Sequence, residues 1–392
     1  MRNAEWPEAA AVRWVAFRTP HSALRIFPMS DPSPFVAMPK AFWTAVFFIF
    51  GAIVGSFLNV CIYRMPRNES LMFPGSHCPG CGYSIPWHQN IPLWSWLALG
   101  GRCANCEAPI SARYVLVELF TALLFMATWL AFGPGAPWIA IVSSVLIAGL
   151  IAATFIDIEH YIIPDEITFG GMAVGFILSA LVPGMHMVER SAEAMKSSAI
   201  GIGAGAGVIY LILRLGKLFF GRQQVGWEGE QRIVFGESAL HLPAQEVPYE
   251  ELFYRKSDAV RFHARTIELV DRCYWNVDVA LRQDRLVIGE DKFEPESVLH
   301  LEATTAQVEL PREAMGFGDV KFMAAIGAFL GAKAVVFCLM LSSVIGSIVG
   351  VTLIVLRRQE WSSKLPYGPY IALAAVVWVF VGGHVLEWLQ GK

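Results

Sequence analysis

Apolar residues in this chain gather into long runs instead of alternating with polar ones. The runs predict helices over 42–62, 114–132, 138–157, 167–184, 199–219, 320–332, 334–356 and 368–389. Several reach the roughly 18 apolar residues that a bilayer-crossing helix needs. The 320–332 run is the shortest. The 199–219 run carries Gly201, Gly203, Gly205 and Gly207, which permit close contact with a neighbouring helix or a hinge. The expectation is a polytopic α-helical membrane protein with about eight transmembrane helices.

Two polar stretches interrupt this pattern. Residues 1–37 contain no spanning run and scatter Arg2, Arg13, Arg18 and Arg25 among Pro and Ser. They lack the compact apolar core and small-residue cleavage site of a signal peptide. Met38 stands just before the first run and is a candidate translation start. Residues 220–315 are a polar insert in which Val234-Phe235, Leu240-His241-Leu242, Arg285-Leu286-Val287-Ile288 and Leu299-His300-Leu301 read as short strands between turns. Glu250–Asp258 reads as helical. The insert is expected to be a small β-rich cytoplasmic domain without a catalytic motif. The chain then divides into a tail (1–37), a first helix (38–63), a loop module (64–113), helices two to five (114–219), the insert (220–315) and three final helices (316–392).

Composition agrees with a membrane protein. Of the 392 residues, 55% are hydrophobic and 16% charged, against about 25% charged in soluble proteins. A net charge of −3 gives no electrostatic argument for nucleic acid. Arg64, Arg67, Arg102 and Arg113 lie in the 63–113 loop and Arg357, Arg358 and Lys364 in the 357–367 loop, whereas the 133–137 turn has no basic residue. Basic residues stay on the cytoplasmic side. Residues 63–113, 158–166, 220–315 and 357–367 are therefore expected in the cytoplasm, with both termini outside. The basic tail opposes that orientation, a second reason to look at Met38 as the start.

Four of the seven cysteines form two knuckles in one loop, Cys78-Pro79-Gly80-Cys81 and Cys103-Ala104-Asn105-Cys106. Each Cys-x-x-Cys turn aims two thiolates at one ion, and two turns complete a tetrahedral Cys₄ shell for zinc. The loop is too short for a large core, so a metal helps hold it together. The competing reading is a disulfide pair or redox thiols, against which a cytoplasmic location argues. A closed Cys₄ shell is structural and leaves no open catalytic position. Cys61 and Cys338 lie in apolar runs and read as small packing residues.

Two aspartates sit at the ends of apolar runs. Asp157 closes the third, and Asp319 stands in Gly316-Phe317-Gly318-Asp319 where the sixth begins. A carboxylate at the mouth of a membrane helix needs water or a partner. The topology puts both at the cytoplasmic face. Two carboxylates on different segments are what an aspartyl peptidase uses, one to activate water and one to protonate the leaving amine. A blander reading makes 155–165 a solvated hairpin, with Asp165 capping the next helix, and makes Gly316–Asp319 a turn followed by an N-cap. Asp165 and Glu159 are alternative members of a pair but lie farther beyond the span. Lys321 reads more readily as a snorkelling interfacial lysine than as a group assisting an anion. A transporter with titrating carboxylates places ionisable groups nearer the midplane and does not need a Cys₄ knuckle. A non-enzymatic zinc-bearing scaffold needs neither aspartate.

Taken in order, these motifs resemble the type IV prepilin peptidase family of leader peptidases and N-methyltransferases. Gly55-Ser56-Phe57-Leu58-Asn59-Val60 through Arg64-Met65-Pro66 resembles its first-span signature, and the double Cys-x-x-Cys loop follows. Arg113-Tyr114 and Glu118 resemble the opening of its second span. Asp157 with Ile163-Pro164-Asp165 and Met315-Gly316-Phe317-Gly318-Asp319-Val320-Lys321 resemble its two aspartate motifs, and Pro366-Tyr367-Gly368-Pro369 the motif before its last span. The likeness covers about 38–219 and 312–389; the tail and the insert are departures, and Phe322 stands where many members carry Leu. A presenilin-like protease shares Gly-x-Gly-Asp but usually has Tyr before the first aspartate, where this chain has Ile156.

The resemblance implies a multi-pass protein of the cytoplasmic membrane. Its substrates are type IV prepilins or pseudopilins, whose basic leaders it cuts on the cytoplasmic side, serving pili or type II secretion. It then methylates the new N-terminal amine with S-adenosylmethionine. The resemblance assigns Asp157 and Asp319 as the catalytic pair and Cys78, Cys81, Cys103 and Cys106 as zinc ligands. No glycine-rich nucleotide fingerprint on a strand–helix unit is visible, so the sequence assigns no residue to that cofactor.

Overall fold

A computed structural model of the protein describes residues 38–389 except 134, 221, 237, 244, 254–257, 299, 312–315 and 357–364. The expected tail, together with Met315, Arg357, Arg358 and Lys364, lies outside the described residues. The chain forms two compact units, one running to Gly205 and resuming at Lys321, the other spanning Ala206–Val320.

The first unit opens with α1 (Lys40–Arg64), then the cysteine loop with its short α2 (Trp94–Ala98), then α3 (Arg113–Phe132), α4 (Pro137–His160) and α5 (Asp165–Leu181). Helix α6 (Ser191–Phe220) leads into the insert, which holds the single turn α7 (Tyr249–Leu252). Helices α8 (Phe317–Val355) and α9 (Gly368–Leu389) complete the chain.

Outer faces of these helices are apolar: Ile49, Phe50, Ile53 and Phe57 on α1 are exposed, as are Leu116, Phe120 and Leu123 on α3. An apolar stripe with nothing over it belongs in lipid. The inner faces join by small residues. A Cβ at Gly51 would lie 2.8 Å from the Ala122 Cα, and one at Gly55 would lie 2.7 Å from the Glu118 Cα. α1 and α3 therefore touch backbone to backbone, the close approach that small residues allow in membranes. Asn59 Nδ2 donates to the Tyr114 carbonyl at 2.9 Å. The Gly–Asn signature of the first span is thus the α1–α3 contact itself. Ile62, Trp129, Ile147 and Ile156 fill the core where α1, α3 and α4 meet. On α6, Gly201 and Gly205 press against the α8 backbone, whereas a Cβ at Gly203 would meet open space.

Among the described residues, six helices are long and apolar enough to cross a membrane: Lys40–Arg67, Arg113–Phe132, Pro137–His160, Ser191–Lys217, Phe317–Val355 and Gly368–Trp388. All eight expected segments are helical, but they are divided differently. α5 is apolar yet has 17 residues. The expected sixth and seventh spans are one 39-residue helix, α8, broken at Gly331 (φ 78°, ψ 174°). That backbone conformation suits glycine, and Ser197 Oγ and His186 Nδ1 crowd the place where a Cβ would stand, at 3.3 and 3.4 Å.

The second unit carries an eight-stranded antiparallel sheet in the order β3-β2-β1-β8-β4-β5-β6-β7. Its strands are β1 (Arg222–Phe235), β2 (Ala239–Leu242), β3 (Gln245–Pro248), β4 (Ala259–Leu269), β5 (Cys273–Arg282), β6 (Leu286–Ile288), β7 (Asp291–Phe293) and β8 (Leu301–Pro311). Along β4, Val260, Phe262 and Ala264 are buried while Arg261, His263 and Arg265 face out, the period of two that a half-buried strand requires. Ile233, Leu240, Val260, Leu286, Ala303 and Val308 belong to one core. The β-rich expectation holds, but the strands are longer and more numerous than the four short ones expected. Of the helix expected over Glu250–Asp258, residues 250–252 belong to the single turn α7 and 254–257 lie outside the described residues, while β4 opens at Ala259. First and last strands pair along their length, from Arg222 opposite Pro311 to Phe235 opposite Leu301. The insert therefore starts and finishes at the same place.

Candidate active site and metal centre

Asp157 lies in the last turn of α4 and is 5% exposed. The helix ends just beyond it at Tyr161, whose left-handed backbone (φ 56°) turns the chain and whose N–H caps the Asp157 carbonyl at 2.9 Å. Pro164 then fixes the start of α5. The Asp157 side chain has a dedicated donor, the backbone N–H of Gly368, at 2.9 Å from Oδ2. That N–H is available because it belongs to the first residue of α9, where helix donors have no internal partner. A Cβ at residue 368 would stand 2.7 Å from the same oxygen and 3.2 Å from Ile163 Cδ1. The glycine of the Pro366–Pro369 motif is what lets the two helices meet at the carboxylate.

The two other acids weighed as partners are engaged elsewhere. Glu159 forms an ion pair with Arg113 at the start of α3. Asp165 is the first residue of α5, with Pro164 in the N-cap place and no side-chain cap bond, so it does not cap the helix. It pairs instead with Lys321, whose ammonium also stands 5.3 Å above the Phe169 ring. Lys321 is therefore an ion-paired cation 19% exposed at its side chain, and not the freely snorkelling lysine expected.

Asp319 occupies the first turn of α8, is 8% exposed, and its N–H caps the Gly316 carbonyl at 3.2 Å. It falls in the second unit and Asp157 in the first. Each is a buried carboxylate at a helix end.

The cysteine loop brings its four thiols together. Cys78, Cys81, Cys103 and Cys106 offer sulfurs that all lie within 4.8 Å of one another, and the Cys78 and Cys106 sulfurs are 3.8 Å apart. A tetrahedral zinc with bonds of about 2.3 Å sets its sulfurs about 3.8 Å apart, so the donor set fits that ion. The knuckles repeat one geometry. Cys78 N–H bonds the Tyr83 carbonyl and Gly82 N–H the Cys78 carbonyl; Cys103 N–H bonds Ala108 and Glu107 N–H bonds Cys103. The residue after each second cysteine is left-handed, Gly82 at φ 70° and Glu107 at φ 56°. Without a metal the four thiols share protons unevenly: the Tyr83 backbone N–H and Asn105 pull Cys81 down to about 6, the N–H groups of Cys106 and Asn105 pull Cys103 down, and hydrogen bonds with the other thiols push Cys106 up to about 12. Thiolates are the metal-binding form.

Buried groups tie this loop to the helices. Arg64 donates to the carbonyls of Ser70 at 2.8 Å and Pro74 at 2.6 Å. Glu118 accepts the Leu93 N–H at 2.7 Å, and Leu93 holds a positive φ of 64°, a conformation that persists where surroundings impose it. The roles of Gly368 and of the Glu118–Leu93 contact were not read from sequence.

The profile described as Bacterial Peptidase A24 N-terminal domain matches residues 49–132. That described as Type IV leader peptidase family matches residues 144–227 and 304–351. A prepilin leader peptidase/N-methyltransferase of Aeromonas hydrophila is 30% identical over 375 residues, covering 90% of this chain and 94% of that protein. Its namesake in Pseudomonas aeruginosa is 28% identical, covering 86% and 90%. The Myxococcus xanthus protein of that name is 40% identical over 51% of this chain and 54% of its own length. No solved structure matches.

Proposed function

The chain belongs to the prepilin leader peptidase/N-methyltransferase family, and from that membership we propose that it cuts the leader from type IV prepilins or pseudopilins. Asp157 and Asp319 form the catalytic pair, and the new N-terminal amine is then methylated. The observation that carries the choice of Asp157 is its setting. It is buried and oriented by the Gly368 N–H, while Glu159 and Asp165 are neutralised by Arg113 and Lys321.

Two neighbouring carboxylates do not both ionise readily, so they share one proton. The ionised member takes a proton from water, whose oxygen attacks the scissile carbonyl. The protonated member donates to the nitrogen as the C–N bond breaks. A substrate with a basic leader in the cytoplasm and an apolar helix in the bilayer presents its scissile bond at the cytoplasmic interface. That is the face on which the basic-residue pattern puts both aspartates. The lipid bilayer is thus part of the site.

Zinc is the metal the four cysteines fit, and it would fold the 64–113 module without touching the scissile bond. S-adenosylmethionine would supply the methyl group. Among the described residues neither unit offers the strand, glycine turn and helix that cradle nucleotide cofactors. Methyl transfer therefore rests on likeness to the bifunctional relatives.

The test is cleavage of a prepilin by purified protein, comparing wild type with Asp157→Asn and Asp319→Asn, with methylation of a pre-cleaved pilin followed in parallel. Loss of cleavage with methylation retained is expected. Normal cleavage by both variants would return the transporter and scaffold readings.

A further inference from the structure

An apolar groove runs along the first unit beside the Asp157 helix. It has a volume of about 230 Å³ and draws its walls from α1, α4, α5 and α8, including Leu58, Gly149, Ala152, Val174 and Phe329. A Cβ at Gly149 would meet nothing within 4 Å. Gly51, Gly55, Gly201 and Gly205 are pressed against a neighbouring helix's backbone, and Gly171 and Gly175 against α8 side chains, whereas the half-buried Gly149 opens on the groove. Membrane helices gain from close contact with their neighbours, and an open slot forgoes it.

One end of the groove is marked by Met65 at the end of α1 and Glu166 in the first turn of α5. This is the end at which the Asp157–Pro164 turn lies. Its apolar walls continue along α5 to Val174, about 12 Å further at the helical rise. The slot is smaller than the roughly 300 Å³ or more of a small-molecule site. It suits the side chains on one face of about two helical turns.

Glu166 is an exposed carboxylate, and no ion pair involving it is found among the described residues. Its neighbours in the same turn region, Glu159 and Asp165, each hold a cation. Hydrolysis of a peptide bond adds the water's OH to the carbonyl and its proton to the nitrogen. The nitrogen becomes an α-amine with a pKa of about 8, cationic at neutral pH. An apolar segment that begins with an ammonium is complementary to an apolar slot that begins with an anion.

We propose that this groove seats the apolar segment following the scissile bond, with Gly149 leaving room for its side chains and Glu166 facing the ammonium that cleavage creates. The assignment deepens the peptidase reading and rests on it.

The test compares a full-length prepilin with a peptide truncated shortly after the scissile bond, using intact enzyme in lipid nanodiscs. Gly149→Leu fills the slot, and Gly203→Leu adds the same side chain where α6 faces open space. The ratio of kcat/KM for full-length over truncated substrate is expected to fall about tenfold in Gly149→Leu, the scale of a lost apolar pocket contact, with no such change in Gly203→Leu. Glu166→Gln is expected to raise the inhibition constant of cleaved pilin several-fold, with Glu166→Asp restoring it. An unchanged ratio in Gly149→Leu overturns the assignment and leaves the groove to lipid chains. An equal loss on both substrates overturns it too. If wild type cleaves neither substrate, the peptidase reading itself fails.

Discussion

Gly368 gives its backbone N–H to Asp157 across 211 residues of chain, at 2.9 Å, in a place where any side chain would crowd the carboxylate. An added Cβ would stand 2.7 Å from the carboxylate oxygen it serves. Gly368→Ala is expected to displace Asp157 and lower kcat for cleavage by about ten- to a hundredfold, the scale of a misplaced catalytic group. Methylation of a pre-cleaved pilin is expected to continue. Wild-type cleavage by the alanine variant would mean that the contact does not orient the reacting acid.

The acids near Asp157 divide by their partners. Asp157→Asn is expected to lower cleavage by about 10²-fold or more, as loss of a general acid or base does. Asp165→Asn and Glu159→Gln remove partners of Lys321 and Arg113, partly exposed pairs of a kind worth about 1 kcal/mol or less. Their cleavage rates are expected within about tenfold of wild type. A loss from Asp165→Asn as deep as that from Asp157→Asn would move the catalytic role to Asp165.

Elemental analysis of the purified protein is expected to find one zinc per chain. Replacing Cys78 or Cys103 with Ser should remove it and open the 65–112 loop to proteases, because the metal supplies much of what folds so small a module. Full zinc retention in both variants would place the ion elsewhere.

His186 sits beside the α8 break, its Nδ1 3.3 Å from Ser197 Oγ, and burial pushes it below its ordinary range. A histidine that resists protonation when folded, but accepts a proton near pH 6.5 when unfolded, leaves stability intact above that value. Stability then falls as pH drops from there toward the folded pKa. Thermal stability in detergent should therefore decline between pH 7.5 and 5, and less steeply in His186→Gln. Parallel profiles for the two proteins would show that His186 is not a source of the decline.

Because Arg222 pairs with Pro311, the β insert can be lifted out at one point. Replacing 222–311 with a short Gly/Ser linker is expected to leave prepilin cleavage intact. The excised segment, which carries its own core, should show a β-type circular dichroism spectrum and cooperative melting. Loss of cleavage on excision would give the insert a part in the reaction.

Much of this was legible from residue order. Long apolar runs located the helices though not their number, two Cys-x-x-Cys turns announced the thiol cluster, and Asp157 and Asp319 stood out at the ends of runs. Gly331 was not legible as a break, since a glycine inside an apolar run reads like its neighbours until φ is known. The strands β4 and β5, and all of β1 before Val234-Phe235, were passed over because their outward faces are densely polar, as in Arg261, His263 and Arg265. The alternation from Val260 to Arg265 is present but short. Gly368 and the Glu118–Leu93 contact arise across distant chain positions, and their meaning exists after folding.

The break at Gly331 also bears on the lipid around the protein. From Phe317 to Leu330, α8 extends roughly 21 Å, and the 17 residues of α5 extend about 26 Å. Both fall short of the roughly 30 Å hydrocarbon thickness. Helices shorter than their bilayer are met by local thinning of the membrane around them. α5 follows directly on the turn after Asp157, and the short arm of α8 carries Asp319 in its first turn. Each undersized element thus adjoins one of the two aspartates, and a bilayer thinned around either element would bring headgroup water closer to the acid at its end.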